Sequence, residues 1–498
     1  MSFLEIKILF LGLFSGISSD IKANCEILTA VDLLPRVQIS SSEPVSDRRD
    51  LPEFCQIKGE IRPNIGFEAR LPITGWNGKY FQAGCGGYCG QILPDRETHS
   101  NAINHALRRG YATITTDGGH QSHSIGDASW ATNHEVERIY ASEVIPLTYA
   151  AALDIIDKIY GRKPSYSYFS GCSNGGRLAA KAAQEYPSLF NGIISGCPVL
   201  NLSGSGGILA SHVLRANLDA SGKTILDEKF KAKLPMLEKN SIAQCDALDG
   251  NIDGAIQRPQ DCFVTLNQIP DCDHAETPSC LTVDEKKVVR KLYDGPVNSA
   301  GEKLFYGIPP GSERYWEIWH LGNKEKPSIG TLLAEGFLPF LGFPEDPDGF
   351  NATDFDLDND ISKLDAQGRL LDALNPDLKA FSKAGGKMIM WHGQADPLVL
   401  HEQSVDYYTD VVDKLGKNTT DDFFRLFLVP TMGHCWELPA KMPDRMNMLQ
   451  VLENWVENGS APDEIIARSN DDDGHGSLSG KIGKLRPYPS LASYSDQN

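Results

Sequence analysis

Short apolar runs alternate with stretches of helical periodicity from about Gly66 to Pro198, and the alternation returns near Ala380. Lys79-Tyr80-Phe81-Gln82-Ala83 and Ala112-Thr113-Ile114-Thr115-Thr116 are short and rich in aromatic or β-branched residues, as strands are. Between Arg138 and Tyr160, Val144, Leu147, Ala151 and Ile155 recur at helical spacing and predict a helix. Ser165 to Ser170 then reads as an aromatic strand, and Leu178 to Ala183 consists of strong helix formers. Lys387 to Gly393 and Phe423 to Pro430 have the pattern of buried strands, with a further helix over Leu449 to Val456. Strands alternating with helices predict an α/β fold. The pattern breaks after Pro198: Asn201-Leu202-Ser203-Gly204-Ser205-Gly206-Gly207 has the composition of a linker, so 201–375 is expected to be an insertion between two parts of one domain, 24–200 and 376–498. The first 23 residues carry an early lysine, the apolar run Ile8 to Phe14 and small residues after it, the pattern of a signal peptide.

The junction of the aromatic strand and the Ala-rich helix is Gly171-Cys172-Ser173-Asn174-Gly175, a G-x-S-x-G frame. Small flanking residues let a strained backbone lift the serine hydroxyl clear of a sheet edge, which is the nucleophile elbow of an α/β-hydrolase. A serine hydroxyl needs a base to take its proton, and the base needs a carboxylate to hold its tautomer, in the chain order Ser, Asp, His for this fold. Asp396 follows the strand at Lys387 to Gly393, and His434 follows the strand at Phe423 to Pro430. Ser173, His434 and Asp396 are therefore expected as nucleophile, base and orienting acid. His120, which precedes the serine in the chain, is assigned a structural role.

Cys172 precedes Ser173 and Cys435 follows His434. A bond between them would hold their α-carbons about 5.5 Å apart and bring the serine and histidine within reach of each other. Gly84-Cys85-Gly86-Gly87-Tyr88-Cys89-Gly90 follows the strand at Lys79 to Ala83, where backbone amides can approach a ligand closely. The oxyanion hole is expected from the amides of Asn174 and Gly87, with Gly86 the next choice.

Composition excludes less than the motifs do. Hydrophobic residues at 41% exclude wholesale disorder, and the formal charge of −19 argues against nucleic acid or anionic membranes as partners. Asp246, Asp249 and Asp253 fall within eight residues with glycines at the bends, and clustered hard oxygen donors suit calcium rather than zinc. The acidic run Asp354 to Asp360 reads as a solvated lead-in to a helix, and Trp316, Trp319 and the stretch Phe337 to Phe343 as core of the insertion, with the lining of an aromatic pocket as the alternative.

Gly-Cys-Ser-Asn-Gly-Gly-Arg at 171–177, with Asp396 and His434-Cys435 behind it, resembles the tannase and feruloyl esterase family, whose members join the neighbours of the catalytic Ser and His by a disulfide. Thr116-Asp117-Gly118-Gly119-His120, Phe190 to Pro198, Cys245 to Gly250 and Phe424 to Pro430 extend the similarity along most of the chain. The resemblance implies an α/β-hydrolase with a large inserted lid domain that shapes the pocket for an aromatic acid. It implies structural calcium in the lid, held by Asp246, Asp249 and Asp253 through side chains and by Asn251 and Ala255 through backbone oxygens. By analogy and spacing the ten paired cysteines are Cys25 with Cys55, Cys85 with Cys89, Cys172 with Cys435, Cys245 with Cys262 and Cys272 with Cys280, although the first four could be shuffled. Cys197 is left as a buried free thiol. The expected protein is a secreted serine esterase acting on feruloyl or related hydroxycinnamoyl esters, small or in plant cell walls. Galloyl esters and terephthalate monoesters are the alternative substrates, and a serine peptidase is the alternative activity.

Overall fold

Nine strands form one sheet: β1 (Val37–Val45), β2 (Phe54–Ile61), β3 (Ile65–Pro72), β4 (Lys79–Ala83), β5 (Ala112–Thr116), β6 (Tyr166–Cys172), β7 (Gly192–Gly196), β8 (Lys387–Gly393) and β9 (Phe424–Val429), in the order β1-β2-β3-β5-β4-β6-β7-β8-β9. The structure is a computed structural model that describes residues 21–30, 35–48, 50–96, 100–272, 276–322, 326–345, 347, 349–435, 442–468 and 481–496. The expected signal peptide lies outside the described residues except for 21–23, which open a helical segment running to Ile27.

The first three strands and the β3–β5 pair are antiparallel, and every pair from β5 to β9 is parallel. Parallel strands are covered on both faces, which is why β5 is buried along its whole length despite three threonines. Helix α1 (Val144–Tyr160) covers one face with Ile145, Ala151, Ile155 and Ile156, and ends on Gly161 in the left-handed conformation that stops a helix without a Cβ clash. It continues the helical segment from His134, long and apolar enough to cross a membrane by length and composition, yet 61% of its most apolar window is buried inside the fold. Helix α2 (Asn174–Glu185) starts at the end of β6.

The chain leaves the sheet after β7 and returns at β8, although these strands are direct neighbours with Ile193 opposite Met388. The described residues between them include helix α3 (Ile329–Phe340) and add no strand to the main sheet. They bury an apolar core of their own around Leu237, Val288, Val289, Ile308 and Trp316. After β8 come helix α4 (Glu402–Leu415), β9 and helix α5 (Met448–Asn458).

One sequence expectation changes. The segment from Leu202 to Gly207 is helical rather than a linker, with a π-helical turn over Gly204–Leu209. Its glycines answer to crowding: a Cβ on Gly204 would lie 2.5 Å from the Phe305 ring, and one on Gly206 2.5 Å from the Phe337 ring. A separate antiparallel sheet is formed by β10 (Arg445–Met446), β11 (Ile465–Arg468), β12 (Lys481–Leu485) and β13 (Ser493–Asp496).

Candidate active site

Ser173 sits between β6 and α2 with φ 61° and ψ −124°, a conformation that a side chain adopts only when its surroundings enforce it. The enforcement is local. A Cβ on Gly171 would meet the Gly175 carbonyl at 2.5 Å, and one on Gly84 would meet the Gly175 α-carbon at 2.9 Å, so only glycines permit this turn against the neighbouring loop.

Asp396 lies beyond β8 and His434 beyond β9, and backbone bonds tie the two loops: the Gln394 amide donates to the Val429 carbonyl and the Ala395 amide to the Met432 carbonyl, both at 2.9 Å. His434 Nδ1 donates to Asp396 Oδ2 at 2.6 Å. The other carboxylate oxygen accepts the amides of Leu398 and Val399 at 2.9 Å each. Burial works to raise the Asp396 pKa, but the pull of His434 and His392 outweighs it and holds the group well below the usual carboxylate range. Asp396 is thus an anion with no exposed surface. With Nδ1 as donor, His434 presents Nε2 as the basic nitrogen.

Ser173 and His434 line the same cavity of about 210 Å³ with Gly86, Gly87, Arg96 and Trp319. A narrow crevice of about 60 Å³ is also lined by Ser173, together with Gly87, Tyr88, Asn174, Leu202, Leu333 and Leu398. A larger void of about 530 Å³ lies on the other side of Cys172, between Trp391, Arg109 and Arg445, but none of Ser173, Asp396 and His434 lines it. Size alone therefore does not mark the reactive centre.

The loop from Cys85 to Gly90 is closed by the Cys85–Cys89 disulfide. The Tyr88 amide donates to the Ile125 carbonyl and the Gly90 amide to the Asp117 carbonyl, whereas no hydrogen bond from the Gly86 or Gly87 amide is present among the described residues. Asn174 opens α2, where the first amides have no helical acceptor. Its side chain acts as well: Nδ2 donates to the Cys85 carbonyl at 3.3 Å, and Oδ1 accepts from Arg177 Nε at 2.8 Å. Arg177 is fully buried and donates besides to the carbonyls of Tyr140, Ala141 and Leu371.

His120 lies on the far side of the same loop. It donates from Nε2 to the Tyr88 carbonyl at 2.7 Å and stacks on Trp130 at 3.9 Å between ring centroids. Burial lowers its pKa to about 4, so the ring is neutral near pH 7. The remaining groups come from residues that sequence reasoning passed over. His392 is wholly buried, with Nε2 donating to the Val399 carbonyl at 2.7 Å and Nδ1 accepting from Ser404 Oγ at 2.7 Å. Trp319 is core as expected, packed with Tyr315 and Ala395, and it also lines the cavity with its ring perpendicular to His434 at 5.2 Å, while Trp316 lies in the core of the insertion. An arginine in an Ala-rich helix was the available signal for Arg177, since a buried guanidinium must find acceptors.

Five disulfides are present, Cys25–Cys55, Cys85–Cys89, Cys172–Cys435, Cys245–Cys262 and Cys272–Cys280, and Cys197 is buried outside them. In the acidic loop Asp246 accepts the amides of Asp253 and Gly254, Asp249 Oδ1 accepts the Asn251 amide at 2.8 Å, and Asp253 accepts the Ala255 amide at 3.1 Å. The three carboxylates do not converge to within 4.8 Å of one another. Asp249 Oδ2 is nevertheless buried without a hydrogen-bond partner, and an orphaned carboxylate oxygen among hard donors fits a divalent cation.

A largely parallel sheet with a serine at a strained strand-to-helix turn and a histidine–aspartate pair at the ends of later strands defines an α/β-hydrolase. The profile of the family described as "Tannase and feruloyl esterase" matches residues 50–498, and this chain belongs to that family. It is 34% identical over 491 residues to an uncharacterized esterase of Xanthomonas campestris pv. campestris, covering 89% of this chain and 82% of that one. It is 30% identical to the mono(2-hydroxyethyl) terephthalate hydrolase of Piscinibacter sakaiensis, covering 89% and 83%. The crystal structure of feruloyl esterase B from Aspergillus oryzae superposes with a TM-score of 0.80 at 24% identity, over 95% of this chain and 96% of that one. The chain is a carboxylic ester hydrolase.

Proposed function

We propose that this chain is a secreted serine esterase that cleaves esters of phenolic acids, feruloyl and related hydroxycinnamoyl esters first, through an acyl-enzyme. One observation carries the mechanism: the strained Ser173 shares a cavity with His434, whose Nδ1 is held by a buried, ionised Asp396. His434 Nε2 takes the Ser173 proton as Oγ attacks the ester carbonyl, and Asp396 stabilises the imidazolium that results. The oxyanion is received by the amides of Asn174 and Gly87. Gly87 is preferred over Gly86 because it also borders the crevice with Ser173 and Asn174. His434 then protonates the leaving alcohol, and water repeats the sequence to free the acid.

The apolar walls of the crevice suit the ring of an aromatic acid. Arg96, a cationic side chain on the cavity that Ser173 and His434 line, favours a second reading in which the acid carries a free carboxylate, as a terephthalate monoester does. The residues over 201–375 act as a lid, and calcium held by Asp246, Asp249 and Asp253 with the carbonyls of Asn251 and Ala255 would brace it. Five disulfides support export to an oxidising compartment.

The test is hydrolysis of methyl ferulate, methyl gallate and a terephthalate monoester by the wild type and Ser173→Ala. Cleavage of methyl ferulate in preference to the others, abolished in the variant, is expected. Preference for the terephthalate monoester, lost on Arg96→Gln, selects the second reading. Residual activity in Ser173→Ala close to wild type rejects the mechanism.

A further inference from the structure

The sulfur atoms of Cys172, Cys197 and Cys435 all lie within 4.8 Å of one another. Two of them form the Cys172–Cys435 bond, and the third belongs to the cysteine outside the five disulfides. The arrangement follows from the sheet. Cys172 ends β6 opposite Gly196 in the parallel β6–β7 ladder, so the next residue along, Cys197, lies beside it. The Cys197 amide is fixed by donation to the Trp391 carbonyl at 2.8 Å. The same thiol is also within 4.8 Å of His392 and Asp396. All three cysteines are buried.

We propose that Cys172, Cys197 and Cys435 form an internal thiol–disulfide exchange centre, in which the Cys197 sulfur displaces one sulfur of the Cys172–Cys435 bond. In one branch a Cys197–Cys172 bond forms, the Cys172–Cys435 bond breaks, and the electron pair leaves on the Cys435 sulfur. In the other branch a Cys197–Cys435 bond forms and Cys172 departs. The proton lost by Cys197 ends on the departing sulfur, so one thiol and one disulfide are present before and after, and no oxidant or reductant is consumed. Either branch removes the covalent link between the residue before Ser173 and the residue after His434. The rearranged protein keeps five disulfides and the same mass, yet no longer holds nucleophile and base in register. Displacements of about 1 Å at a reacting pair are enough to cost roughly 100-fold in rate.

The experiment warms the wild type and Cys197→Ala at mildly alkaline pH below the melting transition, without added thiol. Samples are withdrawn for activity, circular dichroism and non-reducing peptide mapping after acid quench. In the wild type, activity is expected to fall in step with the appearance of a Cys197–Cys172 or Cys197–Cys435 peptide while the helical signal is retained. Cys197→Ala should keep the original bond and inactivate at least about fivefold more slowly. The mapping is performed on the wild type, so it stands even if the variant folds poorly, and it is independent of which ester the enzyme cleaves. The proposal fails if Cys197 remains a free thiol until the helical signal is lost, or if a well-folded Cys197→Ala inactivates as fast as the wild type.

Discussion

Arg177 Nε donates to Asn174 Oδ1 at 2.8 Å, and Asn174 Nδ2 in turn donates to the Cys85 carbonyl. Through this pair the first turn of α2 carries the position of the glycine-rich loop that lines the cavity with Ser173. Because the guanidinium also satisfies the carbonyls of Tyr140, Ala141 and Leu371, it cannot move without stranding them. Arg177→Lys retains charge but cannot reach all four acceptors. We expect a stability loss of about 3 kcal/mol by urea denaturation and roughly a tenfold fall in kcat with little change in KM. A change confined to KM would mean that the pair bears on substrate binding rather than on the loop.

Asp396→Asn replaces the buried anion with a neutral group of the same shape. The imidazolium formed during attack then loses its counter-charge, and the Nδ1 tautomer is no longer enforced. A fall in kcat of about 10⁴-fold with an unchanged melting temperature is expected, as a template triad behaves. Loss of less than tenfold would show that Asp396 does not serve His434.

His120 gives a pH signature. Its pKa is about 4 in the folded protein against 6.5 for the ordinary side chain, with burial as the main cause. The unfolded chain therefore takes up the proton first, and stability is full above pH 6.5 and declines as the pH falls toward 4. Between pH 6.5 and 5 the loss from this residue should be about 2 kcal/mol. Other buried histidines act in the same direction, so the reading is the difference between wild type and His120→Asn in urea midpoints at the two pH values. Equal slopes in the two proteins would show that His120 already carries a proton in the fold.

The role of Trp319 is separable from folding. Its ring lies edge-on to His434 and walls the cavity, so Trp319→Phe should lower kcat/KM by about tenfold or less, and Trp319→Leu by more. The measurement is steady-state kinetics on an aryl ester and on an aliphatic ester of the same alcohol. Similar losses on both would place the effect on His434, and a loss confined to the aryl ester would place it on the acyl ring.

The calcium proposed for the acidic loop predicts a response to chelation. Excess EGTA should lower the melting temperature by about 2–5 °C and leave kcat at 25 °C unchanged, with calcium restoring the difference. Asp249→Asn should remove the response to calcium. A melting temperature indifferent to EGTA and to added calcium would leave the loop without a cation.

The main sheet was legible because parallel strands buried on both faces appear as apolar runs, as Lys387 to Gly393 and Phe424 to Val429 do. The same runs located the ends at which Asp396 and His434 stand. What was illegible depends on neighbours brought from afar. The glycines of Gly204 to Gly207 carry the composition of a linker, and the rings of Phe305 and Phe337 with the Leu364 side chain make small residues a packing requirement there. Trp319 and Trp316 are three residues apart in similar company, yet one faces the cavity and the other the insertion's core. No local pattern separates them. The support of His120 to the loop at Tyr88 is hidden in the same way, since its acceptor is a carbonyl 32 residues earlier in the chain.

The Cys172–Cys435 bond spans 263 residues of sequence. It turns everything from the elbow to the histidine loop, the whole insertion included, into a covalent ring clasped at the reactive centre. A protease that cuts this ring once opens it without releasing either end. A nicked enzyme would run as one species on a gel until reduced, and the two fragments would remain tethered at the point where they must meet to work.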